Sequence, residues 1–120
     1  MPFKQLKEFF TASGARLPRE DALKVFRRDH FKCKYCGLDG LHSFESWLAL
    51  TIDYVHPSAQ GGPRTFGNLV TACQPCNVIK GKRVFKSFEE AKHYVKSKRE
   101  EWRQVFIEQV KLAGAAKTAR

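Results

Sequence analysis

The chain has 120 residues, of which 42% are apolar and 28% are charged, and these proportions favour one soluble globular domain over a disordered chain. Lys and Arg number 22 against 12 Asp and Glu, which gives a formal net charge of +10. Such a basic chain suits a polyanionic partner, nucleic acid before an acidic membrane surface. No apolar stretch approaches the roughly 20 residues that span a bilayer, and the N-terminus does not have the pattern of a secretory signal. We therefore expect a cytoplasmic protein with no membrane partner.

The first elements in chain order are predicted to be helices. Residues 1–18 are predicted to contain a short amphipathic helix and then a break. Its apolar side would consist of Phe3, Leu6, Phe9 and Phe10. From Arg19 to about Asp29, apolar residues recur at near-helical spacing and predict a second helix. Residues 41–46 favour a loop or a short strand.

The middle of the chain predicts a β-hairpin, and the remainder predicts helices. β-Branched and apolar residues favour strands over residues 47–55 and 68–73, which a Gly- and Pro-rich loop would join. A short helix is expected after the second cysteine pair, through Arg83. Ser87 and Glu90 fit a capping box that opens a long helix, about residues 87–113, with one apolar stripe and many basic residues elsewhere. Trp47 and Trp102 are expected in the core rather than as stacking platforms.

All four cysteines lie in two Cys-x-x-Cys pairs, Cys33 with Cys36 and Cys73 with Cys76. Two residues between thiolates let one tight turn present both sulfurs to a tetrahedral ion, and Gly37 can supply the positive φ that such a turn often requires. Four thiolates leave no open coordination position, so the pattern predicts a structural zinc ion rather than a catalytic one. A redox-active pair and four unmetallated thiols are the competing interpretations.

Residues 50–83 carry a further pattern of polar residues around the predicted hairpin. Asp53-Tyr54 and His56-Pro57 end the first strand, a Gly-Gly loop follows, Asn68-Leu69 precedes the second strand, and Cys76-Asn77 precedes a helix with a Lys-Gly pair. In this order and spacing the residues resemble the ββα-metal core of HNH endonucleases, and the segment before Gly37 resembles the lead-in of the zinc-containing branch of that family. The resemblance covers roughly residues 22–83.

The resemblance implies an α+β fold with a zinc-stapled ββα-metal core over about residues 22–83. N-terminal helices and the long C-terminal helix would flank this core within a single nuclease domain that spans residues 1–120. It also implies that Asp53 and Asn77 bind a catalytic Mg²⁺ or Mn²⁺, ions that favour oxygen ligands and keep several waters. We expect both side chains to be exposed.

Other polar residues of the pattern are assigned supporting roles. The resemblance implies that Asn68 ties the loop down by backbone hydrogen bonds. Lys80, Lys82 and Arg83 follow on the predicted helix and would contact the phosphate backbone of a nucleic acid. A cation beside such contacts suits phosphodiester cleavage, in which charge develops on phosphoryl and leaving oxygens.

Tyr54 departs from the family pattern, because the family's first histidine, its general base, usually stands there. A phenol is almost always protonated at neutral pH, so tyrosine is a poorer base than histidine unless a nearby cation favours the phenolate. His56 lies on the same side of the strand, and it can take over only if the backbone bends before Pro57. Three interpretations stay open: His56 is the base, Tyr54 is the base or positions the water, or the site is inactive.

The sequence thus predicts a metal-dependent HNH-type endonuclease that hydrolyses DNA phosphodiester bonds as a nick or a double-strand break, with RNA as the other candidate substrate. Its expected cofactors are structural Zn²⁺ and catalytic Mg²⁺ or Mn²⁺. The alternative is a nucleic-acid-binding module that retains the HNH fold but has lost turnover, and Tyr54 is the residue that supports it.

Overall fold

The computed structural model describes residues 8–10 and 16–118, which form a mixed arrangement of helices and two small antiparallel sheets. The strands and α-helices in chain order are β1 (Glu8–Phe10), β2 (Arg16–Pro18), α1 (Arg19–Arg28), α2 (Phe44–Leu48), β3 (Leu50–Tyr54), β4 (Leu69–Cys73), α3 (Gln74–Lys80) and α4 (Phe88–Thr118), and short 3₁₀ helices at Ser58–Gln60 and Phe66–Asn68 lie in the hairpin loop. This order confirms the predicted α+β class, the hairpin and the long C-terminal helix. No helix among the described residues has the length and apolarity to cross a membrane.

β1 replaces part of the predicted N-terminal helix, and β2 lies in the break predicted after that helix. They pair antiparallel, with Phe9 opposite Leu17. The predicted helix is therefore wrong at Phe9 and Phe10, while Phe3 and Leu6 lie outside the described residues. Leu17 is fully buried in a core that it shares with α1 and β3. Pairing with this buried strand outweighs the weak helical periodicity of the short segment that contains β1.

α1 confirms the helix predicted from Arg19, and it covers one face of the β3–β4 hairpin. Acidic residues in its first turn and basic residues in its last turn suit the helix dipole. Its buried side chains pack with those of the hairpin into one apolar core. That core consists of Leu17, Ala22, Val25, Phe26, Leu50, Ile52, Tyr54 and Leu69.

α2 was not predicted. The Ser43 side chain accepts a hydrogen bond at 3.0 Å from the backbone N–H of Ser46, which caps the first turn. Trp47 therefore lies in a helix instead of the strand predicted from that residue, and β3 starts only at Leu50. The capping serine was the local signal for this helix, and it outweighs the apolar content of the residues that follow.

β3, β4 and α3 form a continuous ββα unit. β3 and β4 pair antiparallel, with Asp53 opposite Val70 and Tyr54 opposite Leu69. α3 begins directly after β4, earlier than predicted, and Pro75 in its first turn suits a helix start. Asn77 consequently lies inside the helix rather than at its beginning.

α4 starts as predicted and runs further than predicted. Ser87 Oγ accepts a hydrogen bond at 3.1 Å from the backbone N–H of Glu90. Ala91 and Val95 are fully buried in a second core beside the cysteines. Trp102, in contrast, is 64% exposed, so its predicted place in the core is wrong. Trp47 is 37% exposed and stacks on Phe44, with 6.5 Å between the ring centroids.

Candidate functional site

The four cysteines meet where the turn after α1 approaches the end of β4 and the start of α3. The sulfurs of Cys33, Cys36, Cys73 and Cys76 all lie within 4.8 Å of one another, and the sulfurs of Cys36 and Cys73 are 3.7 Å apart. A tetrahedral zinc ion with Zn–S bonds of about 2.3 Å places its sulfurs about 3.8 Å apart. Gly37 has the predicted positive φ, 82°. The spacing therefore fits a structural metal ion.

Hydrogen bonds couple the four cysteine thiols to one another. Hydrogen bonds from the other three thiols lower the pKa of Cys36, whereas bonds to the other three sulfurs raise the pKa of Cys76. A dication stabilises all four thiolates, which couples metal binding to their deprotonation.

Asp53, near the end of β3, is closed to solvent. Its Oδ1 accepts a hydrogen bond from Lys80 Nζ at 3.2 Å, and its Oδ2 accepts one from the Tyr35 hydroxyl. Burial raises the pKa of Asp53, although the Lys80 ammonium and the Tyr35 hydroxyl act in the opposite direction. The expectation that Asp53 is exposed is wrong, because its side chain is only 2% exposed.

Lys80, the last residue of α3, forms the other half of this buried ion pair. Its ammonium also donates to the carbonyl oxygen of Tyr54 at 3.0 Å, and no part of its side chain is exposed. The predicted contact of Lys80 with the phosphate backbone is therefore wrong for this arrangement. The ammonium faces the protein interior because the buried Asp53 carboxylate requires a counter-charge.

Asn77 lies on α3, one turn before Lys80, and is also buried, with 4% of its surface exposed. Within the described residues, neither its Oδ1 nor its Nδ2 atom has a hydrogen-bond partner. A buried polar group without a partner costs about 1–3 kcal/mol. The expected exposure of Asn77 is wrong, but its unpaired amide oxygen is free to accept a ligand.

Asp53 and Asn77 present the donor atoms that Mg²⁺ and Mn²⁺ prefer, in surroundings that do not fit a hydrated ion. Such an ion keeps several waters and needs room for them. Both Asp53 oxygens are occupied, and both side chains are buried. The Lys80 ammonium, rather than a metal ion, supplies the positive charge beside Asp53. The roles of Asp53 and Asn77 as metal ligands therefore stay a prediction.

Asn68 holds the loop that follows β3. Its Oδ1 accepts from the backbone N–H of His56 at 2.9 Å, and its Nδ2 donates to the carbonyl oxygens of His56 at 3.0 Å and Pro63 at 2.8 Å. These are backbone hydrogen bonds of the kind that the resemblance implies. The chain bends at Val55 and His56, immediately before Pro57. This bend is the condition under which His56 can serve as a base.

The His56 ring is half-buried, and its contact with Gln60 determines which of the two ring nitrogens carries the proton of the neutral imidazole. Nε2 lies 2.9 Å from the carbonyl oxygen of Gln60. A carbonyl oxygen can only accept, so Nε2 carries the proton, and Nδ1 of the neutral ring keeps the lone pair. Gly62 allows the tight loop, because a Cβ atom there would lie 1.8 Å from the carbonyl oxygen of His56.

Tyr54 belongs to the apolar core under α1, and it is 4% exposed. Adjacent residues of a strand point to opposite faces, so its phenol and the Asp53 carboxylate lie on different sides of β3. This placement argues against Tyr54 as the base that acts beside Asp53.

A comparison with protein-family models identifies the unit built by these residues. Residues 33–83 match the model of the HNH endonuclease family. This segment is an HNH domain. The match contains both cysteine pairs, the hairpin and α3, whereas α1 and α4 lie outside it. Comparisons with curated proteins and with solved structures found no match.

Lys82 and Arg83, at the end of the HNH domain, are exposed, unlike Lys80. The Arg83 guanidinium lies over the ring of Tyr94, 4.8 Å from its centroid. An arginine so placed still presents its edge N–H groups to solvent. Lys82 and Arg83 therefore remain candidates for phosphate contacts.

Sequence reasoning missed Tyr35, which lies between the two cysteines of the first pair. Its side chain is 1% exposed and packs on Phe88, with 5.3 Å between the ring centroids. Burial first, and the Asp53 charge second, raise the pKa of its hydroxyl, which stays a donor to Asp53. The position of Tyr35 in the sequence could have indicated its role, because a residue between two metal ligands is held in place together with them.

Sequence reasoning also missed the pair Arg28 and Asp29 at the end of α1. The Asp29 carboxylate accepts from the backbone N–H of Thr71 at 2.8 Å and from Arg28 at 3.0 Å. Burial acts to raise the pKa of Asp29, but these partners hold it below the ordinary value. Arg28 also donates to the carbonyl oxygens of Phe66 and Leu69. The pair thereby fixes α1 to the edge of the hairpin.

Proposed function

We propose that this HNH domain is an endonuclease that hydrolyses phosphodiester bonds of DNA in a reaction dependent on divalent cations, with His56 as general base. The family match supports a nuclease or a related function on nucleic acids. The net charge of +10 suits a polyanionic substrate. The bend at Val55 and His56, held by Asn68, is the observation that carries the choice of base.

In this proposal His56 Nδ1 accepts a proton from the attacking water. Asn68 keeps the imidazole in place through two hydrogen bonds to the His56 backbone, which reduces the reorganisation needed to reach the transition state. Lys82 and Arg83 contact phosphates of the bound strand and add affinity that depends on salt.

The metals of the proposal differ in how well the chain accommodates them. Four thiolates at tetrahedral spacing suit zinc, and we assign the structural site to it. Asp53 and Asn77 offer the oxygen atoms that suit Mg²⁺ or Mn²⁺, but binding there requires the Lys80 ammonium to withdraw from Asp53.

A second candidate function is nucleic-acid binding without turnover. Two observations favour it: Lys80 and Tyr35 occupy both oxygens of Asp53, and a core tyrosine stands at the family's usual base position. Both functions share the same basic surface, so binding alone does not separate them.

Supercoiled plasmid incubated with the protein and Mg²⁺, Mn²⁺ or EDTA separates the two functions. The endonuclease converts the plasmid to nicked or linear forms in at least one metal lane and not with EDTA. A labelled RNA in parallel lanes tests the other substrate. A protein that shifts DNA in a gel but leaves it intact with both metals is the binding module.

A further inference from the structure

A groove of about 630 Å³ lies between α3 and α4, on the outside of the HNH domain. Its floor is apolar, with Pro75 and Val78 from α3. Trp102 and Phe106 of α4 form its wall and are each 64% exposed. Exposed aromatic side chains that converge on one groove are typical of a binding surface.

The charge of the groove selects among possible occupants. Arg99 and Arg103 line it, and among the residues that the structure describes no acidic side chain does. Arg103 forms an exposed pair with Glu100 at 3.4 Å, which contributes little and is readily exchanged. Arg99 donates one N–H group to Cys76 Sγ, and a guanidinium has further N–H groups to offer. The groove thus combines aromatic rings with positive charge.

A ligand that fits this groove is an anion with flat apolar groups, and a nucleic acid with unpaired bases has both. Bases in a duplex are stacked on each other, so only unpaired bases can lie against a side-chain ring. A second copy of the chain fits less well, because two chains of net charge +10 repel each other.

We propose that the groove binds a single-stranded segment of nucleic acid, with bases stacked on Trp102 and Phe106 and phosphates held by Arg99 and Arg103. This rests on the proposed function in that it adds unpaired nucleotides to the substrate of the same domain. Pro75 and Val78 line the groove, whereas Asn77 and Lys80 are buried on α3. The segment therefore lies about one helix diameter, roughly 10–12 Å, from Asp53.

The chain contains two tryptophans, which makes the stacking directly measurable. In a Trp47→Phe variant, Trp102 is the sole tryptophan. The probe is a single-stranded DNA of about 12 nucleotides, compared with the same RNA sequence and with the DNA duplex, all without added Mg²⁺ or Mn²⁺. We expect single strands to quench the fluorescence of Trp102 to saturation, and the duplex to quench it much less.

Affinity for the labelled single strand, measured by fluorescence anisotropy, gives a second readout. Trp102→Ala should weaken binding about 5- to 150-fold, the range expected for the loss of one stacked base. Trp47→Ala is the matched control, since Trp47 is an exposed tryptophan on α2, and it should leave the affinity unchanged.

Binding of the single strand without quenching of Trp102, or equal losses for Trp102→Ala and Trp47→Ala, would overturn the proposal. A dimer in sedimentation that Phe106→Ala dissociates would also overturn it, because a second copy would then fill the groove. Plasmid cleavage tests the endonuclease separately. If the single strand quenches Trp102 but the plasmid stays intact, the groove proposal stands and the endonuclease proposal fails. If the plasmid is cleaved but Trp102 is not quenched, the endonuclease proposal stands and the groove proposal fails.

Discussion

The Nζ atom of Lys80 lies 3.2 Å from Oδ1 of Asp53, and both side chains are closed to solvent. The pair connects the last residue of α3 to the end of β3, and the Tyr35 hydroxyl completes it from the first cysteine turn. A buried ion pair adds little stability compared with an apolar pair of similar size, but a buried charge that has lost its partner is strongly destabilising. The ββα unit therefore depends on this pair for its packing, whatever the pair does in catalysis.

Lys80→Met should lower the free energy of unfolding by about 3–5 kcal/mol, because it leaves the Asp53 carboxylate buried without a counter-charge. Lys82→Met is the matched control on an exposed lysine and should change it by less than about 0.5 kcal/mol. Urea unfolding of both variants measures the difference. The double variant Asp53→Asn, Lys80→Met should be more stable than Lys80→Met alone, and equal stabilities of the two would contradict a buried ion pair.

Asp29 should make the stability of the protein depend on pH. Its pKa is lower in the folded chain than the ordinary carboxyl value of 3.8, so its contribution is present above that value and is lost as the pH falls through the folded pKa. Asp29→Asn should therefore destabilise the protein by about 1–3 kcal/mol at neutral pH and by progressively less in acid. Thermal melts from neutral to strongly acidic pH measure this difference.

Asp21 provides the control for this experiment. It is a partly exposed aspartate that lies 3.6 Å from Arg64 in a surface pair. Asp21→Asn should change stability by less than about 0.5 kcal/mol at every pH. A constant difference between wild type and Asp29→Asn across the pH range would show that the Asp29 charge is not involved.

The purified protein should contain about one zinc ion per chain, and Cys73→Ser should lower both the zinc content and the melting temperature, because metal binding is coupled to folding. Lys34→Ala, an exposed change within the first cysteine turn, should leave both unchanged. Elemental analysis and thermal melts measure these quantities. Folded wild-type protein with less than about half an equivalent of zinc would be evidence against the assignment.

His56→Ala should reduce the rate of DNA cleavage about 10²- to 10⁴-fold, the usual contribution of a positioned general base. His93→Ala, on an exposed histidine of α4, is the control and should cleave at the wild-type rate. Tyr54→Phe should have a small effect, because the phenol lies in the core under α1. Wild-type cleavage by His56→Ala, or a large loss in Tyr54→Phe, would exclude His56 as the base.

The sequence by itself determined the parts of this protein that depend on local spacing. Two Cys-x-x-Cys pairs predict the cluster of four cysteines, because the tight turn within each pair brings its two sulfurs together. The strands of the hairpin, the α1 helix and the cap at Ser87 follow from periodicity and from short-range hydrogen bonds in the same way. The family pattern over residues 33–83 also depends on order and spacing alone.

Tertiary structure alone decided which polar side chains are buried and what they contact. Lys80 is predicted as a surface lysine because lysine usually is, yet α3 packs it against Asp53 on a strand 27 residues earlier. Trp102 is predicted as core because its helix has an apolar stripe, yet α4 extends past the surface that buries Val95. Burial depends on which distant elements come together, and the periodicity of one segment carries no information about its neighbours in space.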